Sequence, residues 1–230
     1  MRPRVRRNIA TMAFTGFPLD AITFYEGLAT DNSRTYWLAH KATYEQSVRA
    51  PMLAMLDELS EFGPFHVFRP NRDVRFAKDK TPYKDHTGAY GESQGGAGYY
   101  VQFSASGMYI GSGYYDMRAD QLERFRAAVD AEASGAELVR LCAAVQKAGL
   151  KPGAMGELKT APRGYPKDHP RIELLRRKGL ITGREYPLAK WMHTKQAVAK
   201  VRSAWQAGGD VNAWLDRHVG PTTMPPDEMR

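Results

Sequence analysis

The amino-acid sequence predicts a single α+β domain, an antiparallel sheet with helices packed on it. Three observations lead to this prediction. Apolar residues recur at helical spacing in the first and last thirds of the chain, whereas the middle third alternates with the period of two that is typical of strands. The connections between the middle strands are short, which favours antiparallel pairing. No linker or internal repeat divides the chain, so one layered domain is the simplest arrangement.

The first third predicts three helices. Pro18 and Asp20 open the first, Asn32 is placed to cap the second, and Pro51 fits the first turn of the third. In the middle third, "VFRPNRDVRFA" predicts a strand interrupted by Pro70, and residues 72–77 would continue it. "HTGAYGE" predicts a short strand, and "GYYVQFSASGMYIGSGYY" predicts a hairpin.

The last third returns to helices. Ser134 and Glu137 have the spacing of a capping box for one of them. "KPGAMGELKTAPRGYPKDHP" predicts a loop, "RIELLRRKG" a short helix and "LITGREYP" the last strand, before two closing helices. We expect residues 1–12 to be a disordered basic arm, residues 13–220 to be the domain, and residues 221–230 to be a disordered tail.

The composition narrows the class of protein. The net charge is +8, but Arg2, Arg4, Arg6 and Arg7 account for four of these charges, and the remaining +8 − 4 = +4 is ordinary. The arm could touch phosphates, act as a transit peptide, or be an over-extended start before Met12. A single cysteine fits a reducing compartment and excludes an internal disulfide. No apolar run approaches the ~18 residues of a membrane span, so we expect a cytoplasmic protein without a membrane partner.

Three segments resemble a known family. They are "NSRTYWLAHKATYE", "RDVRFAKDKTPYK" and "APRGYPKDHPRIELLRRK". Together they are similar to the domain-of-unknown-function family numbered 2461, and the resemblance extends from Phe17 to about Leu215. Where the family has Trp-Phe this chain has Tyr36–Trp37, and where it has a serine before Lys-Asp-Lys this chain has Ala77. The resemblance implies no particular reaction.

The most unusual stretch is "RPNRDVRFAKDKTPYKDHTG", which places six Arg or Lys residues beside a predicted strand. Arginine and lysine held on a rigid strand and turn can bind phosphate or carboxylate groups through charge-assisted hydrogen bonds. The candidate ligand-binding residues here are Arg72, Arg75, Lys78, Lys80, Tyr83 and Lys84. The alternative is an internal ion-pair network with Asp73, Asp79 and Asp85, since structural ion pairs produce similar clusters.

A second basic segment, "RGYPKDHP", repeats the Lys-Asp-His order and adds Arg163, Tyr165 and Lys167 as candidates. His169 and Asp168 are the weak candidates for acid–base catalysis, because histidine titrates in the useful range. We hypothesise that the two basic segments form one anion site.

Other motifs give weaker indications of function. "GESQG" matches the G-x-S-x-G pattern of serine hydrolases, but glycines and a strand follow Ser93 where that motif needs a helix. Metal-ligand spacing is absent, so we predict no metal site, and no cofactor or oligomeric state can be named. The leading hypothesis is binding or processing of a small anionic ligand such as a nucleotide, phosphoester or carboxylate. The alternatives are a nucleic-acid-associated protein, or a structural protein whose charges pair internally.

Overall fold

The computed structural model describes residues 13–75, 78–93 and 95–225. The predicted basic arm, residues 1–12, lies outside this range. So do Phe76, Ala77 and Gln94, together with the last five residues of the chain.

The N-terminal third forms the predicted helices. They are α1 (Leu19–Thr30), α2 (Arg34–Thr43) and α3 (Ala50–Asp57), with a π-helical stretch, Tyr44–Arg49, between the last two. Pro51 lies in the first turn of α3, as predicted. The cap of α2 differs from the prediction. The hydroxyl of Ser33 accepts the hydrogen bond from the Tyr36 N–H, and the Asn32 side chain bonds elsewhere.

The described residues form one antiparallel sheet of six strands, four from the middle of the chain and two from its later part. The strands are β1 (Phe65–Val67), β2 (His86–Glu92), β3 (Gly98–Ser104), β4 (Gly107–Tyr114), β5 (Lys151–Gly153) and β6 (Leu180–Pro187). Their order across the sheet is β1-β2-β3-β4-β6-β5. The predicted short strand, hairpin and last strand are therefore confirmed. The short edge strand β5 lies in a segment that was predicted to be a loop.

The strand predicted for residues 72–77 is wrong in its described part, because residues 72–75 have no regular structure. Just before these residues, Asn71 forms an isolated antiparallel bridge with Tyr83. Alternation of charged and apolar residues was misleading here, since Val74 is not buried and the segment is an exposed loop between β1 and β2. We call residues 68–85 the basic loop.

The C-terminal half adds α4 (Ala119–Asp130), α5 (Glu132–Lys147), α6 (Ile172–Leu175), α7 (Gln196–Ala207) and α8 (Gly209–His218). The predicted capping box of α5 is wrong. The helix already begins at Glu132, and the Ser134 hydroxyl donates to the carbonyl of Ala128.

Helices that contact the central strands pack on one face of the sheet. Phe17, just before α1, stacks on Phe103 of β3 with ring centroids 4.0 Å apart. Trp205 of α7 packs edge-on against Tyr99 and donates its indole N–H to the carbonyl of Gly111. The core lies between this face and the helices, and Trp214 of α8 is fully buried in it.

The other face of the sheet is built from tyrosine and glycine. Tyr90 of β2 and Tyr100 of β3 are direct cross-strand partners, and Tyr109 lies on β4. Each ring lies across a glycine of a neighbouring strand; for example, a β-carbon on Gly88 would come 2.9 Å from the Tyr100 hydroxyl. Tyr90 covers Gly98 in the same way, and Tyr109 covers Gly111 and Gly183. We call this surface, formed by the three half-buried tyrosines and four glycines, the tyrosine face.

The described part of the C-terminal tail is held against α4. Asp120 accepts hydrogen bonds from Thr222 and Thr223, and Arg124 donates to the carbonyl of Pro221. Hydrogen bonds from Thr223 and Thr222 hold the pKa of Asp120 well below its usual range. The described contacts of this tail continue to Pro225, whose carbonyl accepts a hydrogen bond from Arg118, and the predicted domain boundaries stay a prediction.

The glycine-rich loop between β2 and β3 is fastened by Asp216 of α8. Its carboxylate accepts hydrogen bonds from the Ser93 hydroxyl (3.2 Å), the Ala97 N–H (3.0 Å) and the Tyr114 hydroxyl (3.1 Å). The Ser93 oxygen also accepts from the Ala97 N–H. A strand follows this loop, as the sequence predicted. These bonds give Ser93 a role in closing the loop.

Replacing Asp216 by alanine should destabilise the fold, because three donors lose a charged acceptor. We expect the free energy of unfolding to fall by about 3 kcal/mol in chemical denaturation. Asp57→Ala, which removes an exposed carboxylate at the end of α3, is the control and should change it by less than about 0.5 kcal/mol. Equal effects of the two substitutions would contradict this assignment.

Candidate functional site

The basic loop is attached to the N-terminal helices through Tyr83. The side-chain oxygen of Asn32 accepts from the Tyr83 N–H (3.0 Å), and the Asn32 amide donates to the Tyr83 carbonyl (3.1 Å). The Tyr83 ring is buried and stacks on Trp37, with centroids 4.4 Å apart. Tyr83, predicted as a ligand-binding residue, is thus part of the core and fixes the position of the loop.

Two arginines of the loop pair with its own carboxylates. Arg75 forms a two-pronged ion pair with Asp73, and this pairing lowers the pKa of Asp73 to about 2. Arg72 bonds to Asp79 and lies 3.9 Å from a carboxylate oxygen of Asp85. The ion-pair alternative that the sequence left open therefore accounts for these partners.

The remaining lysines of the loop have different surroundings. The Lys80 ammonium donates to the carbonyl of Val74, and both Lys78 and Lys80 are exposed. The Lys84 ammonium is half-buried and sits over the ring of Phe68, 5.1 Å from its centroid. In the described part of the chain, no carboxylate lies within 4.0 Å of the Lys84 nitrogen.

Lys84 belongs to a group of three like charges. Burial, followed by the positive charges of Arg69 and Arg72, lowers the pKa of the Lys84 ammonium. Desolvation and neighbouring cations both disfavour the charged form. We call Arg69, Arg72 and Lys84 the cationic cluster. A group whose pKa is shifted by burial and specific charges is a candidate functional residue.

The cationic cluster adjoins the tyrosine face. The Phe68 ring under Lys84 is 6.4 Å from the ring of Tyr100, and the Phe68 N–H donates to the carbonyl of Gly88. Burial raises the pKa of Tyr100 to about 12, so its hydroxyl stays neutral and donates to Gln102 at 2.8 Å. Cations and aromatic rings therefore meet at the β2–β3 side of this face.

The second basic segment contacts a different part of the fold. The Nε2 atom of His169 lies 3.1 Å from the Asp130 carboxylate at the end of α4, and its Nδ1 accepts from the Arg171 N–H. Arg171 is nearly buried and donates to the carbonyls of Val129 and Asp130. Both nitrogens of His169 are thereby occupied in holding the α4–α5 turn, an arrangement that supports a structural role.

The other candidates of this segment differ in burial. Arg163, Lys167 and Asp168 are exposed. Tyr165 is half-buried, and its pKa is raised by burial and by the charge of Asp130. The segment's hydrogen bonds go to α4 and its flanks, whereas those of the basic loop go to the α1–α2 junction and β2. The contacts do not bring the two segments together, and their union in one site stays a prediction.

Sequence reasoning missed three members of the candidate site: Arg69, Phe68 and Tyr100. A signal for the tyrosine was present. Gly88-x-Tyr90, Gly98-x-Tyr100 and Tyr109-x-Gly111 repeat the same two-residue spacing on three successive strands, which places the tyrosines and glycines on one face. No local signal connects Arg69 with Lys84, because the loop between them determines their proximity.

The described residues also bear on two other kinds of site. They contain no group of three or more His, Cys, Asp or Glu side chains that could hold a metal ion. None of their helices is long and apolar enough to cross a membrane.

The fold and the site define a single-domain α+β protein with a one-sided sheet and a basic loop fixed to its N-terminal helices. The chain belongs to the family of conserved hypothetical proteins DUF2461, whose model matches residues 20–214. No curated protein and no solved structure matches the chain. Two of the segments that carry the family resemblance meet in space, since Asn32 and Trp37 of the first contact Tyr83 of the second.

Replacing Asn32 by alanine should release the basic loop, because both hydrogen bonds to Tyr83 are lost. We expect the free energy of unfolding to fall by about 2 kcal/mol and trypsin to cleave between residues 72 and 80 faster than in the unaltered chain. Ser33→Ala, which removes only the α2 cap, is the control. It should cost about 1 kcal/mol without accelerating cleavage in the loop. Unchanged loop cleavage in Asn32→Ala would contradict the anchoring role.

Proposed function

We propose that this protein binds a small anionic ligand at the cationic cluster. The observation that carries the proposal is Lys84. Its ammonium is half-buried, feels the positive charges of Arg69 and Arg72, sits over an aromatic ring and has no ion-pair partner in the described part of the chain. Holding a cation there is unfavourable in the empty protein, and a bound phosphate or carboxylate would relieve both the repulsion and the incomplete pairing.

The basic loop supplies the necessary rigidity. Asn32 and Trp37 fix Tyr83, the residue before Lys84, while Asp79 and Asp85 orient the Arg72 guanidinium. A guanidinium held from one side can still offer its other N–H groups to an anion. Lys78 and Lys80 are exposed on the same loop and can approach a ligand from solvent.

Anion binding can be tested by thermal unfolding with sulfate, a divalent anion whose charge is constant near neutral pH. We expect sulfate at a hundredfold excess over its dissociation constant to add about 2.7 kcal/mol of stability. Lys84→Met should abolish this gain and raise the melting temperature of the ligand-free protein by about 1–3 °C, because the repulsion is removed. Lys167→Met, in the second basic segment, is the matched control and should respond like the unaltered protein.

If Lys84→Met instead destabilises the ligand-free protein and leaves the response to sulfate intact, the ammonium is a structural group and the proposal fails. A loss of the response in Lys167→Met as well as Lys84→Met would instead favour the single site predicted from both basic segments.

The lowered pKa of Lys84 sets the pH dependence of binding. Its positive charge is lost at a lower pH than that of an ordinary lysine, so the stabilisation by sulfate should decline at a lower pH than the titration of an ordinary lysine would give. In Lys84→Arg the charge persists and the decline should disappear. Without sulfate the sign reverses. The unfolded chain holds this proton more tightly, so the contribution of Lys84 to stability improves as the pH rises. An identical pH profile in both proteins would count against Lys84.

A further inference from the structure

The tyrosine face offers a series of aromatic rings on adjacent strands. The rings of Tyr100 and Tyr109 have centroids 6.0 Å apart, and Phe68 continues the series at 6.4 Å from Tyr100. Tyr90 lies beside Tyr100 as its cross-strand partner. Each tyrosine contacts glycine backbone of the sheet and is half-buried, and the planes of the Tyr100 and Tyr109 rings are inclined to each other by 50°.

The arrangement is maintained by the glycines. A β-carbon on Gly98 would clash with the ring of Tyr90, and one on Gly183 would clash with Tyr109. Larger residues at these positions would tilt the rings away from the sheet. Partly exposed aromatic rings can stack on planar ligands, and base–aromatic stacking tolerates any base sequence.

Charge is distributed unevenly around this face. The cationic cluster lies at its β2–β3 side, where Lys84 covers Phe68. Glu92 and Glu185 lie near Tyr90 and Tyr109, whose pKa values are raised first by burial and then by these carboxylates. A polyanion would therefore place its phosphates along the basic loop and direct its planar groups over the rings.

We infer that the tyrosine face binds single-stranded nucleic acid, with bases stacked on Tyr100, Tyr109 and Phe68 and phosphates on the cationic cluster. This inference rests on the proposed function and extends it, because a single strand would bring several phosphates to the cationic cluster where a small anion brings one. Single-strand binders combine a basic groove with a row of aromatic platforms, and both parts are present here on one surface. A neutral polysaccharide would use the rings but would leave the cations without a partner.

The test uses the full chain and fluorescence anisotropy of a labelled eight-nucleotide RNA of mixed sequence. A duplex of the same length and a mononucleotide serve as competitors. We expect the single strand to bind and to be displaced poorly by either competitor. Tyr100→Leu and Tyr109→Leu should each weaken binding about tenfold. Tyr100→Phe should retain binding because the ring remains, and Tyr165→Leu, beside the α4–α5 turn, should have no effect.

The salt dependence tests the role of the cations. With three phosphates neutralised, the logarithm of the affinity should fall with the logarithm of salt concentration with a slope of about −2. Lys84→Met should reduce the magnitude of this slope by about 0.7. All variants are first compared by circular dichroism and melting temperature, and Tyr109→Leu is decisive because it lies outside the cationic cluster.

Three results would overturn the inference. One is stabilisation by sulfate without binding of the RNA, which would leave the proposed function intact. Another is RNA binding that Tyr100→Leu and Tyr109→Leu do not change, since charge alone would then explain it. The third is displacement of the RNA by a neutral oligosaccharide whose own binding needs the same tyrosines. If the unaltered protein binds neither sulfate nor RNA, the proposed function itself is refuted.

Discussion

The double hydrogen bond between the Asn32 side chain and the backbone of Tyr83 ties the C-terminal end of the basic loop to the N-terminal helices. It joins residues 51 positions apart in the sequence. The amide satisfies both polar groups of one backbone residue, and the buried Tyr83 ring adds a stack on Trp37. Residues 72–75 have no regular structure, but the loop also has backbone bonds of its own: the Arg72 N–H donates to the Pro82 carbonyl, and the Lys84 N–H donates to the Pro70 carbonyl. These bonds hold Lys84 near Phe68, and the Asn32 anchor ties this part of the loop to the helices.

The charges of the loop divide into two kinds. Arg75 is satisfied by its neighbour Asp73, in an exposed pair of the kind that contributes little to stability. Lys84 is different, because burial and two nearby arginines oppose its charge. Proteins tolerate such unfavourable groups mainly where a ligand or a reaction uses them. The same loop thus contains one arginine that pairs with a neighbouring carboxylate and one lysine whose charge its surroundings disfavour.

The sheet has two faces of opposite character, and both follow from side-chain size. On the covered face, Val101, Phe103 and Ile110 pack against the helices. On the other face, large and minimal residues alternate, so that tyrosine rings fill the space that glycines leave. Side chains on this face therefore pack closely against the sheet although they are only half-buried. The glycines therefore let the rings lie close to the sheet while the rings remain partly exposed.

The sequence by itself determined the α+β class, most helices and the strands β2, β3, β4 and β6, because periodicity and turn residues are local signals. It also located the basic loop and the family. It failed where the outcome depended on distant partners. Residues 72–75 alternate like a strand but find no neighbouring strand to pair with, and β5 pairs only because β6 lies beside it. Asn32 is a residue type that commonly caps helices, yet its side chain bonds to the backbone of Tyr83 instead.

Only the tertiary structure decided which charges stand together. His169 contacts the Asp130 carboxylate and Arg171 donates to backbone carbonyls at the end of α4, whereas the Lys84 ammonium lies over the ring of Phe68. The sequence could not distinguish these two environments, since both segments contain the order Lys-Asp-His. Electrostatic environment is set by burial and by neighbours in space, and these are established when the loop docks on the N-terminal helices and the sheet brings Gly88 and Tyr100 together.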